Sequence, residues 1–99
     1  MSSFHGDKFT TTVARLKQVC EDWEGSNDGS DKVNYDFSFT TEDGRDFWVY
    51  DWKEYRTIGD NEVIDFHIGA DNPSHSRDAL RYLGDLMEGL DYLTKVNMN

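Results

Sequence analysis

Two stretches, Val33-Asn34-Tyr35-Asp36-Phe37-Ser38-Phe39-Thr40 and Asp46-Phe47-Trp48-Val49-Tyr50-Asp51-Trp52, decide how this chain folds. The first is apolar at every odd position and polar at every even one, the period of a strand with one buried face. The second breaks that rule, because Phe47-Trp48-Val49-Tyr50 puts large apolar groups on both of its faces. A sheet covered on one side needs only one such face. The other is where function is expected.

Working outward, the region reads as three strands, Val33–Thr40, Asp46–Thr57 and Glu62–Gly69. Asp43-Gly44 signals a two-residue type I′ turn. With Glu42 paired to Arg45, Phe39 faces Trp48, Phe37 faces Tyr50 and Tyr35 faces Trp52, which gathers six aromatics on one face as the core. The opposite face then carries Thr40 with Phe47, Ser38 with Val49, and Asp36 with Asp51. Gly59-Asp60-Asn61 forms the second turn. An odd loop with Ile58 opposite Glu62 brings Ile64, Phe66 and Ile68 onto the face of Trp48, Tyr50 and Trp52, whereas a slip of one residue would expose them.

Helices are predicted on either side. From Lys8 the series Phe9, Val13, Leu16, Cys20, Trp23 steps by three and four, the stripe of an amphipathic helix. Asp7 is its expected N-cap and Gly25 its stop, with Thr10-Thr11-Thr12 as poor helix formers at its start. Asn72-Pro73-Ser74-His75 opens a second helix, whose stripe is Leu80, Leu83, Met87, Leu90 and Leu93. Gly84 and Gly89 inside it read as sites of close packing. Gly25–Asp31 is a loop by composition, and residues 1–6 and 95–99 read as flexible ends. The expected fold is a single α+β domain over residues 1–99 in the order α-β-β-β-α: a three-stranded antiparallel meander with two helices packed on one face.

Twenty acidic against ten basic side chains give a net charge of −10. Such a field repels nucleic acid and anionic membrane and attracts basic protein surfaces. It serves solubility as well. Cys20 is the sole cysteine, which excludes a disulfide framework and a cysteine zinc site and suits a reducing compartment. Residues 1–5 lack the pattern of a secretory signal, and no run reaches the length of a membrane span. The expected setting is the cytoplasm, of a cell or of an infected host.

Little in the sequence supports catalysis. Cys20 falls in the first helical stripe as a core thiol, and there is no G-x-S-x-G elbow or glycine-rich phosphate loop. His5, His67 and His75 lack metal-ligand spacing and read as polar surface residues, and no cofactor is expected. Asp36 opposite Asp51 is a like-charge pair that would welcome a cation. Phe47, Val49, Tyr55 and Val63 make an apolar strip edged by Asp36, Asp46, Asp51 and Asp65. Strips of this kind mark interaction sites. The expected partner-binding set is therefore Asp36, Asp46, Phe47, Val49, Asp51, Tyr55 and Asp65.

These features point to a non-enzymatic, acidic protein-binding domain. One concrete form is an inhibitor that mimics nucleic acid and occupies the basic groove of a nucleic-acid-handling complex. Virus-encoded antagonists of host-defence nucleases, anti-CRISPR proteins among them, are a setting for such a molecule. A second reading is a regulatory or accessory domain that homodimerises through the open sheet face. A third, hydrolase-like reading would join His67 to Asp65 and Asp51.

Overall fold

The computed structural model describes residues 3–30 and 32–97. The chain is a small α+β fold: β1 (Ser3–Thr11), α1 (Val13–Val19), β2 (Trp23–Gly25), β3 (Tyr35–Thr40), β4 (Asp46–Tyr50), β5 (Ile64–Ala70) and α2 (Pro73–Asn97). The strands make one antiparallel sheet in the order β1-β5-β4-β3-β2. The expected meander is present as β3-β4-β5, widened by a strand at each edge. Both helices contribute to one core, Val13 and Leu16 from α1 and Ala79, Leu83 and Met87 from α2.

The hairpin between β3 and β4 sets every other side chain. Thr41 N–H donates to the Arg45 carbonyl at 2.9 Å and Gly44 N–H to the Thr41 carbonyl at 2.9 Å, with Gly44 at φ +83°. That is a three-residue loop, a tight turn followed by a left-handed glycine, and not the two-residue turn expected from Asp43-Gly44. The pairing therefore moves by one residue, to Phe39 with Phe47, Phe37 with Val49 and Asp36 with Tyr50. A one-residue slip exchanges the faces of a strand. Phe47 and Val49 are fully buried, and Trp48 and Tyr50 lie on the outside. Phe39 stacks on Phe47 with ring centres 5.1 Å apart, and Phe37 meets Phe66 edge-on.

Ile64, Phe66 and Ile68 are in the core as expected, but their companions are Phe47 and Val49. β4 ends at Tyr50 rather than Thr57, because Asp51 stops the ladder. Its carboxylate, fully buried, accepts from Asn34 N–H (2.9 Å), Tyr35 N–H (2.8 Å) and the Asn34 amide (3.1 Å). Asn34 also donates to the Arg56 carbonyl at 2.9 Å, which ties the long connection after β4 to the start of β3.

The N-terminal half departs most from expectation. Phe9 belongs to β1, opposite Phe66, and Trp23 belongs to β2, opposite Phe37. Only Val13–Val19 is helical, capped by Thr12, whose hydroxyl accepts from Arg15 N–H. Three consecutive β-branched threonines favour the strand. Phe9 from β1, Val13 and Leu16 from α1 and Cys20 just after it all reach one core, which imitates a single helical stripe. Asp7 accepts from the Ser76 hydroxyl at 2.7 Å and caps no helix. α1 carries the chain from β1 at one edge of the sheet to β2 at the other, and Arg15 pairs with Asp91 of α2 at 2.7 Å.

α2 begins as predicted, with Pro73 in its first turn and the Asn72 side chain accepting from His75 N–H at 2.8 Å. Its glycines are not packing sites, because a Cβ at Gly84 or Gly89 would meet nothing within 4 Å. Of the ends expected to be flexible, Ser3–Gly6 pairs into β1 and residues 95–97 close α2. Met1, Ser2, Met98 and Asn99 lie outside the described residues, as does Asp31 of the expected loop. Among the described residues no helix is long and apolar enough to cross a membrane.

Candidate functional site

The helices cover one side of the sheet and leave the other open. Register places one row of side chains straight across all five strands of that open side: Glu24, Asp36, Tyr50, His67 and Lys8. The row runs from acid through aromatic to base. A parallel row holds Ser38, Trp48, Gly69 and Phe4. Trp52, two residues beyond Tyr50, extends the aromatic surface and is 40% exposed.

The rings form a connected layer. Phe4 stacks on His67 with centres 4.0 Å apart, and His67 lies 5.6 Å from Tyr50 and 6.2 Å from Trp52. Tyr50 and Trp52 stand nearly perpendicular, 6.1 Å apart. The ammonium groups of Lys53 and Lys32 lie over the Trp52 ring at 5.6 and 6.0 Å. An open cleft of about 320 Å³ is lined by Val33, Asp36, Trp48, Tyr50 and Trp52.

Charge is unevenly distributed around this layer. Partial burial raises the pKa of Asp36, and the carboxylates of Glu24 and Asp22 raise it further. None of the ion pairs among the described residues involves those three acids. Burial, with the Asp36 charge beside it, also raises the Tyr50 phenol. At the other end of the row, burial lowers the His67 imidazole, and Lys8 adds repulsion.

The residues expected to bind a partner divide between the two faces. Asp36, Asp46 and Asp65 are on the open side, where Asp46 accepts from the Thr40 hydroxyl at 2.9 Å and Asp65 accepts from the Thr10 hydroxyl. Phe47, Val49 and Asp51 are in the interior, so the expected strip does not exist and Asp36 does not face Asp51. Tyr55 is exposed in the connection after β4, at φ 50°, rather than on a strand. With Asp51 buried on the far side, His67 and the two aspartates of the hydrolase-like reading do not come together.

The other candidate groups serve the fold. Cys20 is a buried thiol as expected, donating to the carbonyls of Ser38 (3.2 Å) and Asp22 (3.3 Å), and burial raises its pKa. His75 is not a surface residue: it is buried edge-on to Phe47, and its Nε2 bonds to the Asp46 carbonyl at 2.9 Å. His5 bonds to the Ala70 carbonyl at 3.0 Å. Among the described residues no cluster of three His, Cys, Asp or Glu side chains is placed to hold a metal ion.

Fold and site together define a small α+β domain with one packed and one open, aromatic sheet face. No protein-family model matches the chain, and no curated protein or solved structure is significantly similar to it. Sequence reasoning missed Phe4, Trp48, Tyr50 and Trp52 as the aromatic set of the open face, exposed at Phe4 and Trp52 and half-buried at Trp48 and Tyr50, although a signal was present. Each of Trp48, Tyr50 and Trp52 carries a polar N–H or O–H, and Phe47 and Val49 carry none.

Proposed function

We propose that this domain is a non-enzymatic docking protein whose open sheet face, centred on Trp48, Tyr50 and Trp52, binds a basic protein surface. The observation that carries this reading is the row Glu24-Asp36-Tyr50-His67-Lys8, with uncompensated carboxylates at one end of a half-buried aromatic layer on the open face. Crowded acids repel one another, and an arriving Arg or Lys relieves that repulsion while the rings supply apolar contact. Tyr and Trp are the side chains most often found at binding hot spots. A net charge of −10 steers basic partners toward the domain from a distance.

Inhibition by nucleic-acid mimicry is the form of docking that this chemistry serves best. Carboxylates on a small domain would take the place of phosphates in the basic groove of a nucleic-acid-handling complex, such as a host-defence nuclease. The test is binding of an oligo-arginine peptide, followed by tryptophan fluorescence at low and high salt. Binding should weaken steeply with salt and be lost in Glu24→Lys/Asp36→Lys. The control Asp85→Lys/Glu88→Lys, which carries the same charge change on α2, should retain most of it. Equal loss in both variants, or binding of a single-stranded oligonucleotide in place of the peptide, would contradict the reading.

A further inference from the structure

The open face contains one concave feature, the cleft of about 320 Å³ lined by Val33, Asp36, Trp48, Tyr50 and Trp52. Two of its walls, the Tyr50 and Trp52 rings, meet at 79° with centres 6.1 Å apart. Trp48 stands next to Tyr50 on the same face of β4, and Asp36 lies directly across from Tyr50 on β3. Three electron-rich rings and one carboxylate thus surround a space open to solvent. Aromatic faces attract cations, most strongly those of Trp. Trp52 already shows this, with the ammonium groups of Lys32 and Lys53 over its ring. Neither lysine lines the cleft.

We propose that this cleft is a receptor for one arginine side chain presented by the partner. The inference rests on the docking reading above and names the group that the open face selects. A guanidinium is flat, weakly hydrated and rich in donors, so it can lie against an indole while forking onto a carboxylate. A lysine ammonium is a compact, strongly hydrated point charge, and it gains less from stacked rings. Asp36 is suited to accept the fork because no cation among the described residues is paired with it. Tyr50 forms a wall beside it.

The test compares oligo-arginine and oligo-lysine peptides of equal length by calorimetry, on the wild type and on Trp48→Ala and Asp36→Asn. The wild type is expected to favour oligo-arginine by about tenfold, the scale of one good cation–π contact. Both variants should bring the two peptides to similar affinity. Asp36→Asn keeps the side-chain shape, so its effect is read in a folded domain. The indole N–H signals of Trp48 and Trp52 should shift on binding, and that of Trp23, on the other side of the sheet, should not. Equal affinity for the two peptides in the wild type, or a preference that survives in both variants, overturns the arginine receptor. If the shared binding is still lost in Glu24→Lys/Asp36→Lys, the docking reading stands without it. Failure of both peptides to bind the wild type overturns both.

Discussion

β4 turns Phe47 and Val49 to one side and Trp48 and Tyr50 to the other, and the two sides do different work. On the covered side Phe47 and Val49 are purely hydrocarbon, packed in the core beneath two helices, with Phe47 stacked on Phe39. On the open side the rings are larger, but each has a polar tip that water can reach. Size alone would send the tryptophans inward. The polar handle and the shape of one turn send them out. A strand with bulky residues on both faces therefore buries the set that needs no hydrogen bonds and displays the set that can make them.

The sharpest contrast is between neighbours. Phe47→Ala should cost about 3–5 kcal/mol, the usual penalty for truncating a buried phenylalanine, and in so small a domain it can abolish folding. Trp48→Ala should cost less than about 1 kcal/mol and act on binding instead. Urea unfolding of the pair measures this, and a reversed order would break the comparison.

A second contrast sets Asp51 against Asp36. Asp51→Ala leaves two backbone N–H groups and one N–H of the Asn34 amide without an acceptor and should destabilise by about 3 kcal/mol. On the helix that covers the core, Gly84→Ala should stabilise by up to about 1 kcal/mol, since nothing occupies the space its methyl would enter. A loss of stability there would mean that the glycine is a packing site after all.

Asp36→Asn gives the smallest effect, and its sign differs from that of Asp51. Because the folded state raises the pKa of Asp36, its charged form is disfavoured on folding. The neutral variant should be more stable at neutral pH by less than about 0.5 kcal/mol. That advantage should shrink as pH falls through the raised folded value and vanish below the ordinary carboxylate range. Denaturation at a series of pH values checks both the sign and the window.

Some of this architecture could be read in the sequence. Alternation over Tyr35–Thr40, the core roles of Ile64, Phe66 and Ile68, and the Pro73 helix start were legible, because each depends on local pattern; at the head of the expected strand Asn34 is buried and Val33 lines the open-face cleft instead. Register was not. Asp43-Gly44 suits a two-residue turn as well as a three-residue one, and the choice is made by Thr41 and Arg45, which close the longer loop with backbone and side-chain bonds. β1 was also hidden, since its strand character comes from pairing with β5, more than fifty residues away. The site followed the register: with the faces exchanged, Asp36, Asp46 and Asp65 stayed outside while Phe47, Val49 and Asp51 went in.

The central claim is that the Trp48 side of β4 faces water and receives the partner. A variant with Trp48 as its only tryptophan, Trp23→Phe/Trp52→Phe, tests it through acrylamide quenching with and without saturating oligo-arginine peptide. Ready quenching of the free protein, strongly reduced once the peptide is bound, is the predicted result. Blue-shifted emission that resists acrylamide before any peptide is added would place Trp48 in the core. Quenching unchanged by bound peptide would place the partner elsewhere.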